Sequence, residues 1–226
     1  MMEVMIFANR TIAGTLLGVH LQRHANVEDP VVIGIPRGGA ITAAAVAHEL
    51  DAPCDVVVAE PLVAPHNPDF PVATVDEDGT MVTMGGNLPL PLHLTLEDLA
   101  DQAADAVHAV RRAAARYRMG SPHIPLAGRD VIVVDDGILS GLTACAVALY
   151  ARGHGARTVI AAAPVASHQA IAQLEHCVDS VFAIDVPQPV RSIGDHYRYW
   201  SPVPDAAVRA VLHHTIEPRL AGRGSE

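Results

Sequence analysis

Five short, almost purely aliphatic runs punctuate the chain: VVIGI (31–35), DVVVA (55–59), VIVV (131–134), TVIAAAPVA (158–166) and SVFAID (180–185). Each is too short for a helix and lacks the alternation of a half-exposed strand, so each reads as a strand buried on both faces. Between them lie Ala-rich segments with helical character, such as ITAAAVAHEL, TACAVALYARG and HQAIAQLEHC. Strands alternating with helices predict an α/β fold, a central parallel sheet of about five strands flanked by helices. A further helix is expected from about Asn9 to Gln22. The longest is expected over 94–118, with Thr95 as its cap and arginines toward its C-terminal end. All of 1–226 is read as one domain.

One region breaks the rhythm. Residues 60–93 are rich in proline and turn signals, with VATV and TMVTM as strand candidates around a DEDG turn. An insertion of this length is expected to be a flexible lid. Residues 186–204 are read as a small hood, with Tyr197, Tyr199 and Trp200 either stacking on a ligand or packing the C-terminal helix. Residues 220–226 are read as a flexible tail.

Composition narrows the chemistry. Half of the residues are hydrophobic but only 4% are Phe, Trp or Tyr, so the core is aliphatic. The net charge is −10, and all 15 basic residues are arginine. A chain without lysine has neither a Walker A phosphate loop nor a Schiff-base mechanism. Its acidic balance argues against nonspecific nucleic-acid binding, so no nucleic-acid partner is expected. No apolar run is long enough to span a bilayer, and no membrane association is expected. Cys54, Cys145 and Cys177 are widely spaced and are read as three reduced thiols in a soluble, cytoplasmic protein. The 13 histidines show no zinc-ligand spacing; His66 alone, in the proline-rich segment, is placed to approach a ligand.

Two motifs directly follow strands, at the sheet edge where α/β proteins bind ligands. VIVV runs into Asp135 and Asp136, then into Gly137, Ile138, Leu139, Ser140, Gly141, Leu142 and Thr143 at the start of a helix. Paired carboxylates suit a polyol or a magnesium ion. Small and hydroxyl residues at a helix start suit a phosphate. The other motif, GIPRGGA (34–40), offers Pro36, a guanidinium fork at Arg37, and close backbone approach at Gly38 and Gly39. Together they describe two anion sites flanking a polyol site.

VIVVDDGILSGLTA resembles the signature of the type I phosphoribosyltransferases. GIPRGG resembles the pyrophosphate loop of a bacterial subgroup of that family, and likeness extends through FANRTIAGTLL, APHNPDFPVATVDEDG and SIGDHYRYW. The resemblance implies magnesium-dependent transfer of 5-phosphoribosyl from phosphoribosyl pyrophosphate to a nitrogen acceptor, such as a nucleobase or amine, with release of pyrophosphate. It implies that Asp135 and Asp136 hold the ribose hydroxyls, with Mg2+ bound directly or through water and those hydroxyls. Leu139 to Thr143 would cradle the 5-phosphate, and Arg37, Gly38 and Gly39 the pyrophosphate. Leu139 stands where some relatives place an aspartate base, which argues against that purine-type arrangement. A homodimer is the base-rate expectation. One departure leaves a second reading open. Where the subgroup carries an Arg-Lys pair after the second strand, this chain has Glu60 and Pro61, so it either transfers phosphoribosyl groups or binds the pyrophosphate compound or a nucleotide without turnover, as a regulatory module.

Overall fold

The computed structural model describes residues 6–64, 67–83 and 99–220. Five parallel strands form the central sheet: β1 (Val31–Gly34), β2 (Cys54–Val56), and, later in the chain, β6 (Asp130–Val134), β7 (Thr158–Val165) and β8 (Ser180–Asp185). Their order is β2-β1-β6-β7-β8. Three strands between β2 and β6 build a separate antiparallel sheet: β3 (Ala59–Ala64), β4 (Asn67–Asp76) and β5 (Met81–Thr83). The α/β architecture read from the aliphatic runs is therefore the observed one.

Strand alternation sorts the aliphatic side chains onto two faces. Val32, Ile132, Val134, Ile160 and Ala162 pack under α1 (Arg10–His24) and α2 (Gly38–Glu49), against Leu17, Leu21, Ala43 and Val46. Val31, Ile33, Val131, Val133, Val159 and Ala161 face α4 (Leu142–Gly153), against Val147 and Ala151. Each fully buried Val, Leu or Ile contributes about 1.5–3 kcal/mol of transfer free energy, so a continuous aliphatic run is what this sheet requires. Small residues let the layers approach closely, which explains a core built without many aromatic rings.

Helix boundaries refine the sequence expectations. Asn9 caps α1, its side chain accepting from the Ile12 amide at 3.0 Å. The long helix, α3, is described over Ala100–Arg118; Thr95 and the rest of the expected first turns lie outside the described residues. The DEDG turn joins β4 to β5, and the Asp76 carboxylate holds it by accepting from the Asp78 and Thr80 amides at 3.0 and 2.8 Å. A short helix, α5 (His168–Leu174), connects β7 to β8, and α6 (Asp205–Leu220) ends the described chain.

The expectation of three free thiols is corrected. Cys145, in the first turn of α4, and Cys177, just after α5, form a disulfide with Cα atoms 5.5 Å apart across 32 residues of chain; Cys54 is free and buried. Wide spacing in sequence hid a proximity created when α4 and α5 pack beside each other.

A buried ionic cluster ties the small sheet to the large one. Arg118, ending α3, places its Nε 3.3 Å from Asp55 on β2 and forks onto both oxygens of Glu77, each at 2.9 Å. His123 reaches both acids, 3.6 Å from Asp55 and 3.2 Å from Glu77. Glu77 also accepts from the Val58 amide at 2.8 Å, and Asp55 from the Val56 and Ile124 amides at 2.7 and 3.2 Å.

Candidate active site

The strand order reverses direction between β1 and β6. From β1 the chain steps outward to β2, then returns to lay β6 on the opposite side of β1, so the two segments leaving these neighbouring strands must diverge and open a crevice. Gly34 lies opposite Val134 in the ladder, and the Ile35 amide donates to the Val134 carbonyl at 2.9 Å. The Pro36-Arg37-Gly38-Gly39 and Asp135-Asp136 motifs are thereby placed side by side, although about 100 residues separate them in sequence.

Their contact explains the two glycines. A Cβ on Gly38 would collide with the Asp136 carboxylate, and one on Gly39 would come within 2.7 Å of Asp135 Oδ1 and 2.9 Å of the Val134 carbonyl. Both glycines let the start of α2 lie directly against the acidic pair. Pro36 and Arg37 are joined by a cis peptide bond.

The two aspartates differ in charge environment. Burial, then the negative charge of Asp136, raises the Asp135 carboxyl well above the ordinary aspartate range, against an opposing hydrogen bond from the Asp136 amide at 2.8 Å. Asp136 has a cation instead: Arg10 Nε donates to its Oδ2 at 2.6 Å. Arg10 also donates to the Ser201 carbonyl at 2.9 Å and lies 3.7 Å over the Trp200 ring. Tyr197, tilted against Trp200 with ring centroids 4.9 Å apart, donates its hydroxyl to the Asp136 carbonyl at 2.6 Å. Sequence reasoning missed Arg10. A signal was present, because a cation in the first turn of a helix opposes the macrodipole, and α1 has no acid there to offset it.

The segment after the acids forms a second concavity. Asp135, Gly137, Ile138, Leu139, Ser140, Gly141 and Thr143 line a cavity of about 160 Å³, closed on one side by Ile193. Gly141 adopts φ +79°, a left-handed conformation that favours glycine and turns the chain into α4. No side-chain cap closes this helix start, and the Leu142 amide has the Ser140 hydroxyl 3.4 Å away. The loop is held from behind: Ile138 donates to the Val165 carbonyl at 2.9 Å, and the Ser167 hydroxyl donates to the Leu139 carbonyl at 2.6 Å. Leu142 is 1% exposed; its side chain belongs to the core, and only its backbone can serve a ligand.

Arg37 does not turn toward this cavity. Its side chain is 61% exposed and its Nε lies 3.5 Å from Asp205. With Pro36 it lines a neighbouring cleft of about 320 Å³, shared with Glu60 on β3 and with Arg116, Tyr117 and Asp205. In the hood, Tyr197 and His196 are buried, Tyr197 packing with Phe7, Ala13 and Val165, whereas Tyr199 and Trp200 are exposed. His66 lies outside the described residues. No group of three or more His, Cys, Asp or Glu side chains among the described residues is arranged to hold a metal ion by itself. None of the described helices is long and apolar enough to cross a membrane.

Comparison with known proteins agrees with this arrangement. Residues 7–199 match the phosphoribosyl transferase domain. Two proteins from strains of Mycobacterium tuberculosis, named "Putative phosphoribosyl transferase MT0597" and "Putative phosphoribosyl transferase Rv0571c", are each 33% identical over 207 residues, covering 92% of this chain and 46% of theirs. The chain thus spans about half the length of these curated relatives. The crystal structure of TT1426 from Thermus thermophilus superposes with a TM-score of 0.79 at 36% identity, over 93% of this chain and 99% of that one. The chain belongs to the phosphoribosyl transferase domain family.

Proposed function

We propose that this protein transfers the 5-phosphoribosyl group of phosphoribosyl pyrophosphate to a nitrogen acceptor, a nucleobase or related amine, and releases pyrophosphate. The observation that carries the reading is the convergence at the β1/β6 switch point: Asp135 lines one cavity with the helix start, and the Gly38-Gly39 backbone lies against the carboxylates of both Asp135 and Asp136. A ribose bearing phosphates at both ends matches that order of groups.

In this reading the amides of Leu139 to Thr143 and the Ser140 and Thr143 hydroxyls hold the 5-phosphate at the start of α4. Asp136 accepts from a ribose hydroxyl while Arg10 fixes the carboxylate's orientation. Asp135, with its raised proton affinity, donates to or accepts from the neighbouring hydroxyl without adding a full negative charge. The Gly38 and Gly39 backbone and Arg37 receive the leaving group. Rate enhancement comes from alignment and from charges placed where pyrophosphate departs.

Magnesium fits this site only as an ion shared with the ligand. Arg10 already occupies Asp136, and the two aspartates are too few to enclose a cation; magnesium commonly completes its shell with water and substrate oxygens. Asp135 and Asp136 would reach it through water and the ribose hydroxyls. When bound, it would neutralise charge on the departing pyrophosphate.

The test is pyrophosphate release from phosphoribosyl pyrophosphate and magnesium across a panel of bases and amines, with direct binding measured in parallel. Release with at least one acceptor, lost in Asp136→Asn, supports transfer. Binding without release for every acceptor supports the regulatory reading favoured by the Glu60 carboxylate in the Arg37 cleft. Absence of binding removes both.

A further inference from the structure

If phosphoribosyl pyrophosphate occupies the crevice as proposed, its pyrophosphate end needs cationic partners. The chain has no lysine, and Glu60 and Pro61 stand at the start of β3. The cleft beside the Pro36-Arg37 turn contains a different source of charge. Asp205, at the start of α6, lies between two arginines: Arg37 Nε is 3.5 Å from its Oδ1, and Arg116 Nε, from the last turn of α3, is 3.8 Å from its Oδ2. The Tyr117 hydroxyl donates to the same carboxylate at 3.1 Å. Two guanidinium groups and a hydroxyl, carried by the start of α2 and the end of α3, thus converge on one carboxylate of α6.

The geometry of these pairs is loose. Both arginine contacts exceed the usual N–H···O range, and the side chains are 61% and 55% exposed. Exposed ion pairs of this kind contribute about 0–1 kcal/mol, so a more highly charged anion can displace the carboxylate. A guanidinium has five N–H donors, and each of these approaches Asp205 through its Nε. The cleft is also adjacent to the acidic pair, because Gly38, next to Arg37, touches Asp136.

We propose that Arg116 is a pyrophosphate-binding residue acting with Arg37, and that the Asp205 carboxylate occupies the anion position until the ligand replaces it. The proposal rests on the phosphoribosyl transfer reading and assigns its leaving-group site to this chain's own α3, with Glu60 as an opposing charge in the same cleft.

Calorimetric titration of the full chain with magnesium pyrophosphate and, separately, with ribose 5-phosphate tests it. Arg116→Gln should weaken pyrophosphate binding by about tenfold, the loss of one charge-assisted contact in an exposed cleft, and leave ribose 5-phosphate affinity within about twofold of the parent by the same reasoning. Asp205→Asn, which keeps an oxygen for Tyr117, should tighten pyrophosphate binding several-fold. Unchanged pyrophosphate affinity in both variants, with ribose 5-phosphate still bound, overturns the Arg116 assignment and leaves the transfer reading standing. Equal weakening of both ligands in Arg116→Gln also overturns it, since the effect would then be structural. A parent chain that binds neither ligand sinks the assignment and the transfer reading together.

Discussion

Two pairs of carboxylates, one buried and one half-buried, are treated in opposite ways by this protein. Asp55 and Glu77 are 1% and 8% exposed. Burial pushes both up, but hydrogen bonds from His123, the charge and hydrogen bonding of Arg118, and backbone amides bring both below their ordinary values. Asp135 and Asp136 share one cation between them, and Asp135 moves the other way, raised by burial and by its neighbour. The first pair is saturated and fixes the small sheet to the large one. The second is under-compensated, and its Asp135 opens onto a cavity, as expected for a group that has work left for a ligand.

The comparison is broken most directly at Arg118. Arg118→Ala leaves two buried acids without their main cation and should cost about 3–5 kcal/mol of stability, measured by urea unfolding; a loss below about 1 kcal/mol, the scale of an exposed ion pair, would show that the cluster does not lock the two sheets together. At the other pair the same kind of surgery should spare the fold. Asp136→Asn should weaken ribose 5-phosphate binding by about 10- to 100-fold, the scale of a hydrogen bond to a charged group, with a melting temperature within a few degrees of the parent.

Protonation separates the pairs further. The two carboxylates raise His123 from 6.5 to about 9. Because the folded value lies above the unfolded one, its stabilisation is complete below about pH 6.5 and fades as pH rises through about 9. Its side chain is 40% exposed, so screening reduces the effect to about 1 kcal/mol. Unfolding free energies of the parent and His123→Gln should therefore differ at pH 6 and converge toward pH 10. Asp135 gives the smallest effect, and there removing the group should not destabilise the fold. A raised carboxyl makes folding less favourable as pH climbs from the unfolded to the folded value, so Asp135→Asn should match or exceed the parent in stability at pH 8. A clear destabilisation there would mean that the charged form of Asp135 is needed by the fold.

Much of the crevice was legible from residue order. The strand runs, the Asp135-Asp136 pair and the glycine-rich turns each carry local signals, because burial on two faces, turn conformation and helix starts depend on neighbouring residues. Gly38 and Gly39 were legible as sites of close approach, but the partner was not: the sequence suggested a ligand, whereas the structure also brings the two carboxylates against them. Arg37 was expected at the leaving group; its contact with Asp205, far along the chain, was not legible. Arg10 and Arg118 were missed for the same reason: Asp136 lies 126 residues from Arg10, and Asp55 and Glu77 lie 63 and 41 residues from Arg118.

The sequence alone determined the strand and helix rhythm, the aliphatic core and the placement of acids and small residues at strand ends, since these follow from short-range periodicity and backbone preference. Only the tertiary structure decided which acid pair is neutralised and which stays open. That depends on which of 15 arginines arrives beside each carboxylate, and long-range packing sets those distances.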